Sequence, residues 1–208
     1  MEILCLEMTP FATNCFVVRD GGEALVIDPG EGRSDLRDAL DGYTTVGVVN
    51  THGHCDHCGG NAAVSEWTGQ APRIHAADVP LLRAISEQGA YFGISVPPSC
   101  EPGRLLEHGD RLRVGGVELE VRHAPGHSPG HIVLTTENEG GSLVFAGDVL
   151  FAGSIGRTDL PGGDSEQLIA SIARELLSLS DDTTVYPGHG PATTIGAERR
   201  GNPFLVGL

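Results

Sequence analysis

No apolar run in the 208-residue chain reaches the roughly 20 residues that a membrane-crossing helix needs, so no bilayer anchor is expected. Met1 to Cys5 carry no basic segment followed by a long apolar stretch, so no signal peptide is expected either. Linkers rich in Ser or Pro, low-complexity tracts and short repeats are missing, and a single domain over 1–208 is the expectation. Basic residues are scarce, 13 against 28 acidic, which gives a formal charge of −15. Such a surface repels phosphate backbones, so a nucleic-acid partner is not expected. An anionic small substrate would need a local cation at its site. The five cysteines (Cys5, Cys15, Cys55, Cys58 and Cys100) are odd in number and lack the spacing of a disulfide framework. They fit free thiols in a reducing cytoplasm. What the chain does have is an ordinary globular composition, 39% hydrophobic and 20% charged, with glycine raised to 30 residues. Many glycines border His and Asp, as expected where backbone bends tightly around a site.

Alternating or apolar runs predict strands near 2–8, 13–19, 23–28, 44–50, 72–75, 110–114, 117–123, 131–136, 142–147 and 183–186. Gly21-Gly22 and Gly115-Gly116 each sit between two runs and predict hairpin turns. Helices are predicted at 34–41, 59–68, 77–92 and 165–178. The last has Asp164 as cap, Gln167 at the capping-box position, and Leu168, Ile169, Ile172, Leu176 and Leu177 on one face. The order implies two strand-rich halves, roughly 1–100 and 101–208, each with helices outside its sheet. Stacked sheet on sheet, they make an α/β fold, a four-layer αββα sandwich.

The chemistry concentrates in Thr51-His52-Gly53-His54-Cys55-Asp56-His57-Cys58-Gly59-Gly60. Three imidazoles and a carboxylate in so short a turn suit zinc, iron or manganese, and one loop with this spacing can feed two adjacent metal positions. Cys55 and Cys58 form a C-x-x-C interleaved with these stronger ligands; a redox pair or zinc clip is the alternative to incidental placement. Three further segments repeat one design of apolar strand, tight turn and ligand-type residue. Leu119–Val121 leads through Ala124-Pro125-Gly126 to His127, Leu143–Gly147 to Asp148, and Thr183–Gly188 to His189. Ligands at strand ends are held rigidly and can converge on one sheet edge. Taken singly, Asp148 reads as a turn or cap and His189 as a loop histidine; together with the first cluster they form a set.

His52-x-His54-x-Asp56-His57, His127, Asp148 and His189 resemble the motif series of the metallo-β-lactamase superfamily over nearly the whole chain. Asp28, in Leu25-Val26-Ile27-Asp28-Pro29-Gly30, is similar to that family's early structural Asp. Within the family the chain resembles the short glyoxalase II-like (hydroxyacylglutathione hydrolase-like) enzymes. The supporting segments are His123–His131, Gly147 to Asp159, Pro187–Pro191 and the tail from Thr193 through Glu198 and Asn202 to Leu205. The resemblance implies a binuclear site, with His52, His54 and His127 on one ion, Asp56, His57 and His189 on the other, and Asp148 bridging. It also implies a metal-bridging hydroxide that cleaves a thioester such as S-lactoylglutathione, with Asp56 able to orient the hydroxide as a catalytic group. Two divalent ions are expected, zinc first, with iron or manganese as alternatives.

Asp28 is expected to orient a ligating imidazole, or else to be a plain Asp-Pro-Gly turn. His131, four residues past His127, is expected behind the ligands, while His75, His108 and His123 are expected to be structural or surface residues. Arg157, in the Phe151–Asp159 segment, is the cation an anionic substrate would need; an Arg157–Asp159 pair holding the loop is the alternative. The substrate is expected to be a small thioester, glutathione-derived in the leading case, in a cytoplasmic protein with no membrane or nucleic-acid partner and with room for a homo-oligomer. The alternatives are a mononuclear iron glutathione persulfide dioxygenase, which shares a Gly-Arg-Thr-Asp stretch like Gly156 to Asp159, and a hydrolase of lactones or other esters. A β-lactamase role is disfavoured because Asp148 stands where the main β-lactamase groups carry Cys. A metal-storage or redox protein without turnover is disfavoured by the intact ligand set.

Overall fold

Alternation along Val117–His123 sorts side chains as a half-buried strand should, with Val117, Leu119 and Val121 buried and the residues between them partly exposed. The computed structural model describes residues 1–138 and 141–207. The chain runs β1 (Glu2–Met8), β2 (Thr13–Asp20), β3 (Glu23–Ile27), α1 (Ser34–Leu40), β4 (Thr44–Val49), α2 (Cys55–Cys58), α3 (Asn61–Thr68) and β5 (Pro72–His75). A 3₁₀ turn (Ala76–Asp78) then leads to α4 (Val79–Arg83), α5 (Ile85–Tyr91) and β6 (Arg104–Leu106). Next come β7 (Arg111–Val114), β8 (Val117–His123), β9 (Ile132–Asn138), β10 (Gly141–Gly147) and a short hairpin of β11 (Leu150–Phe151) and β12 (Ser154–Ile155). The chain closes with α6 (Ser165–Ser171), β13 (Thr184–Pro187), β14 (Thr193–Thr194) and α7 (Ile195–Gly201).

Two six-stranded sheets result, ordered β1-β2-β3-β4-β5-β6 and β14-β13-β10-β9-β8-β7. Strand β3 shows why they stack with helices outside. All of Ala24–Ile27 is buried, yet the two faces feed different cores: Leu25 and Ile27 join Phe16, Leu119 and Phe145 between the sheets, while Ala24 and Val26 join Leu36, Leu40 and Val64 under α1 and α3. A third core packs Leu168, Ile172 and Leu176 onto the outer face of β9, β10 and β13. Burying each such side chain contributes about 1.5–3 kcal/mol, so the interleaved faces fix strand register as well as layer order. The four-layer αββα sandwich is therefore the architecture. Gly21 (φ 56°) and Gly22 (φ 83°) close the β2–β3 hairpin in left-handed conformations that a Cβ would disfavour.

Several expected boundaries shift. Strand β6 pairs parallel with β5, so the first sheet runs past residue 100 to Leu106. The helix expected over 77–92 breaks at Ala84, because the Leu81 carbonyl is taken by Ala84 N–H (3.0 Å) and by the Gln88 side chain (2.8 Å). The stretch 59–68 becomes a single helix only from Asn61, after the separate turn α2. Over 165–178 the cap is as expected, with Asp164 accepting from Gln167 N–H (3.0 Å), but α6 passes into a π turn at Ile172–Leu176. Strands β11, β12 and β14 and helix α7 had no prior signal in the pattern. Helix α7 clamps the β11–β12 hairpin through main-chain atoms: Gly153 N–H donates to Glu198 (2.9 Å), and Asn202 Nδ2 donates to the Ser154 carbonyl (3.0 Å) and to Glu198 (2.8 Å).

Candidate metal centre

Ligand-type residues arrive at one end of the sandwich from both sheets. The loop after β4 delivers His52 and His54, and α2 delivers Asp56 and His57. Asn50 braces this loop, donating to the His57 carbonyl (3.1 Å) and exchanging amide hydrogen bonds with Asn61 (3.2 and 2.8 Å). From the second sheet come His127 after β8, Asp148 after β10 and His189 after β13. In each of these three the chain passes from a strand with at least one buried face into a Gly-containing turn.

The ligand atoms fall into two trios, His52–His54–His127 and Asp56–His57–His189, each set lying within 4.8 Å of one another. In the first, His127 Nε2 is 2.9 Å from His54 Nδ1 and 3.3 Å from His52 Nε2. In the second, His57 Nε2 and His189 Nε2 are 3.3 Å apart, and Asp56 Oδ2 lies 3.4 and 3.3 Å from them. Asp148 stands between: its oxygens are 3.4 Å from His57 and from His189, and 3.6 Å from His127. The two trios are thus adjacent and share one carboxylate.

Proton placement shows what the cluster lacks. His127 Nδ1–H donates to the Arg157 carbonyl (2.7 Å) and His189 Nδ1–H to the Phe11 carbonyl (2.9 Å). His57 Nδ1–H donates to Asp28 Oδ2 (3.1 Å). The Thr51 hydroxyl also donates to Asp28 Oδ2 (2.6 Å), so it receives the His52 Nδ1–H (3.0 Å). With four Nδ1 atoms occupied as donors, four Nε2 lone pairs face one another and the carboxylates. Acceptors crowded at 2.9–3.6 Å need a cation among them. Asp148 Oδ1, buried and without a hydrogen-bond partner, points to the same need. An imidazole and carboxylate set of this kind suits zinc, iron or manganese. The geometry is that of a dinuclear metal site.

Electrostatics agree. Burial and the surrounding imidazoles hold His52 far below its ordinary value, and burial with His127 takes His54 to about 3, so both are neutral donors. Against burial, His57 and His189 hold Asp56 at about 2, and His57, His189 and His127 hold Asp148 below the usual carboxylate range. Against burial again, Asp56, Asp148 and Asp28 push His57 up to about 9, while Asp148 and Asp56 push His189 up to about 11. Without a cation the carboxylates gather protons onto these two rings, and a bound metal would displace them.

Asp28 and Thr51 therefore tie both trios to one buried carboxylate, and Asp28 adopts φ 52° to do so. Although Asp28, His52 and His57 also group within 4.8 Å, the facing nitrogens already carry the donated protons. His131 lies behind the cluster, where its Nε2 accepts from Asp148 N–H (3.0 Å) and its ring stacks on His52 (4.8 Å, 19°). His75 and His123 stack on each other (4.1 Å), and His108 accepts from His123 N–H (3.2 Å), apart from the trios. Cys55 and Cys58 are free and buried; burial raises Cys55 to about 11 and Cys58 well above its ordinary value, and Cys58 donates to the His52 carbonyl (3.2 Å). Neither is a ready thiolate. At Gly188 even a Cβ would lie 2.1 Å from Asp148 Oδ1, so the floor of the site has no room for a side chain there.

Three participants were not foreseen. Buried Asp78 accepts from Gly53 N–H (2.8 Å), from the Ser128 hydroxyl (2.6 Å) and from Gly130 N–H, fastening the first ligand loop to the turn after His127. Thr13 donates its hydroxyl to Asp56 Oδ2 (3.0 Å), and Phe11 supplies the carbonyl under His189. Thr51 had a signal, being a hydroxyl residue beside His52; Asp78, Thr13 and Phe11 had none. A cleft of about 390 Å³ opens over the cluster, walled by Phe11, Phe92, Phe151 and Leu160 and reached by Arg157. The Arg157 side chain is 53% exposed and its guanidinium forms a two-point pair with Asp159 (2.7 Å each), so it both borders the cleft and holds the loop.

The αββα sandwich thus carries at one edge a His/Asp cluster suited to a pair of metal ions. The chain belongs to the metallo-β-lactamase superfamily, whose profile matches residues 8–189. It is 39% identical over 211 residues to hydroxyacylglutathione hydrolase GloC of Haemophilus influenzae, covering 99% of this chain and 98% of that one. Among solved structures it is similar to TTHA1623 in a di-iron-bound form, with TM-score 0.89 and 39% identity over 97% of this chain and 100% of that chain. It is equally similar to BLEG-1, described as a B3 metallo-β-lactamase, with TM-score 0.90 and 36% identity over 99% and 100%.

Proposed function

We propose that this chain hydrolyses thioesters, S-lactoylglutathione being the leading substrate, with two divalent ions at the trios. The observation that carries the reading is Asp148, a buried carboxylate within 3.6 Å of ligand atoms from both trios and with one oxygen lacking any partner. His52, His54 and His127 would hold one ion, Asp56, His57 and His189 the other, and Asp148 both. Zinc is the first choice, with iron supported by the relative seen with two irons. When bound, such a pair supplies a water ionised near neutral pH and an electrophile for a carbonyl oxygen.

The chain's own groups do the rest. Asp28, through Thr51 and directly, fixes the tautomers of His52 and His57. The Arg157 and Phe11 carbonyls do the same for His127 and His189. Asp56, steadied by the Thr13 hydroxyl, would orient the attacking water as well as ligate. A thiolate leaves without needing a dedicated acid, and the two nearby cysteines, held as thiols, are not required as nucleophiles. Arg157 gives the rim a cation for an anionic thiol half. The 39% identity to a hydroxyacylglutathione hydrolase supports the glutathione assignment, and the likeness to BLEG-1 makes a β-lactam amide a second carbonyl to assay.

The test pairs elemental analysis of protein purified without added metal with thiol release from S-lactoylglutathione. About two ions per chain and thiol release support the reading. One iron per chain, oxygen uptake with glutathione persulfide and no thiol release would replace it with the dioxygenase.

A further inference from the structure

The cleft over the cluster does not end at its apolar wall. It continues past His54 and Phe92 into a second limb of about 330 Å³, bordered by Leu81, Tyr91, Leu160 and Pro161. Two of the polar groups along this limb, Gln88 and Asp159, are already engaged; the others are the uncharged hydroxyl of exposed Tyr91 and the ligand-type His54. Gln88 accepts from Cys55 N–H (3.0 Å) and donates to the Gly53 (3.1 Å) and Leu81 (2.8 Å) carbonyls. Asp159 is held by Arg157 at both oxygens. The chain contains no lysine, and among the described residues Arg157 is the one guanidinium bordering the cleft. A charged substituent entering the limb would meet no free counter-charge and would lose its water. An uncharged apolar one would cover Leu81, Phe92 and Leu160 and gain from it.

Resting on the thioesterase reading, we propose that this limb is a specificity pocket for an uncharged apolar group, an aryl ring or a medium alkyl chain, carried by the substrate. An apolar cavity of about 150 Å³ already admits benzene, so the limb is ample for a phenyl ring with its linker. The group belongs either to the acyl half or to the thiol half, since both flank the same carbonyl carbon. In either case water adds oxygen to that carbon, the C–S bond breaks, and the products are a carboxylate, a thiol and one proton released to solvent. A thioester carrying such a group is then cleaved with a higher kcat/KM than its short-chain counterpart.

Two substrate series on the metal-loaded protein decide the matter. One varies the acyl group (acetyl, butanoyl, hexanoyl, phenylacetyl) on N-acetylcysteamine; the other holds acetyl and varies the thiol (ethanethiol, hexanethiol, benzyl mercaptan). The expected result is a rise in kcat/KM of about two- to fourfold per methylene in one series, which also identifies the half that enters. Leu81→Trp, which narrows the limb, should collapse the hexanoyl-to-acetyl or hexyl-to-ethyl ratio; Leu160→Ala, which removes one wall, should lower it and serves if the first variant does not fold. Hydrolysis of both series with no dependence on chain length overturns the pocket and leaves the thioesterase reading standing. No thiol release from any member, S-lactoylglutathione included, overturns both.

Discussion

Asp28→Asn isolates the tie between the two metal positions. The variant keeps size and shape, and Asn tolerates the positive φ of 52° at this position. Asn can still accept from Thr51 N–H, now 2.7 Å from Oδ1. Its amide NH₂, however, must take the Oδ2 place, facing the Thr51 hydroxyl at 2.6 Å and His57 Nδ1 at 3.1 Å. A donor there obliges His57 to accept at Nδ1, which moves its proton to Nε2. That nitrogen faces Asp56, Asp148 and His189, so the second trio loses a lone pair. Removing such an outer partner of a ligating imidazole costs about 10–100-fold in metal affinity, or about 1.4–2.8 kcal/mol. The second position should sit at the upper end. The first position feels the change only through Thr51 and His52 and should lose tenfold or less. The assay is competitive titration of metal-stripped wild type and variant with a fluorescent zinc chelator, resolving the two dissociation constants. A folded variant that binds both ions as wild type does would refute the tautomer argument.

Asp148→Ala removes the carboxylate common to both trios and is expected to lose the second ion and nearly all turnover; wild-type rates would end the two-ion reading. Gly188→Ala places a methyl 2.1 Å from Asp148 Oδ1, so a destabilisation of about 1–3 kcal/mol and a drop in metal content are expected from denaturant melts and elemental analysis. Arg157→Ala should raise KM about two- to fivefold for anionic thioesters and less for neutral ones; equal effects would assign Arg157 to holding the loop with Asp159. Metal-stripped protein should be most stable near pH 6.5, because His52 and His54 (the latter about 3), lowered by folding, cost stability below it, whereas His57 (about 9) and His189 (about 11) are raised by folding. The contribution of His57 and His189 fades as pH climbs through those values, while metal competes better against fewer protons, so the Tm gap between loaded and stripped protein should widen from pH 6.5 to 9. A constant gap would contradict this.

The sequence made the strands and ligand-type residues legible because each obeys a local rule. Strand β8 alternates, Asp164 precedes an apolar helical face, and the His-rich loop concentrates donors within a single turn. What stayed hidden depends on tertiary closure. Asp78 sits in an ordinary helical pattern, and only folding brings Gly53, Ser128 and Gly130 to its oxygens. The break at Ala84 arises from a side-chain amide seven residues from the carbonyl it satisfies, a competition no periodicity records. Strands β11, β12 and β14 are two residues each, too short to show a period. For Arg157 the two sequence expectations were not exclusive, since one guanidinium borders the cleft and pairs with Asp159 at once.

The hairpin that carries Phe151 and Ile155 into the cleft is held by Glu198 and Asn202, but they grip only the Gly153 amide and the Ser154 carbonyl. Main-chain handles are present whatever side chain is installed. Substitution at 151 or 155 can therefore alter the surface offered to a substrate while the loop keeps its course, and drift at the far end of the chain is what would unsettle it. In a lineage changing substrates, diversity should gather on the hairpin's side chains, and restraint should fall on two polar residues of the last helix and its cap that never touch the reactant.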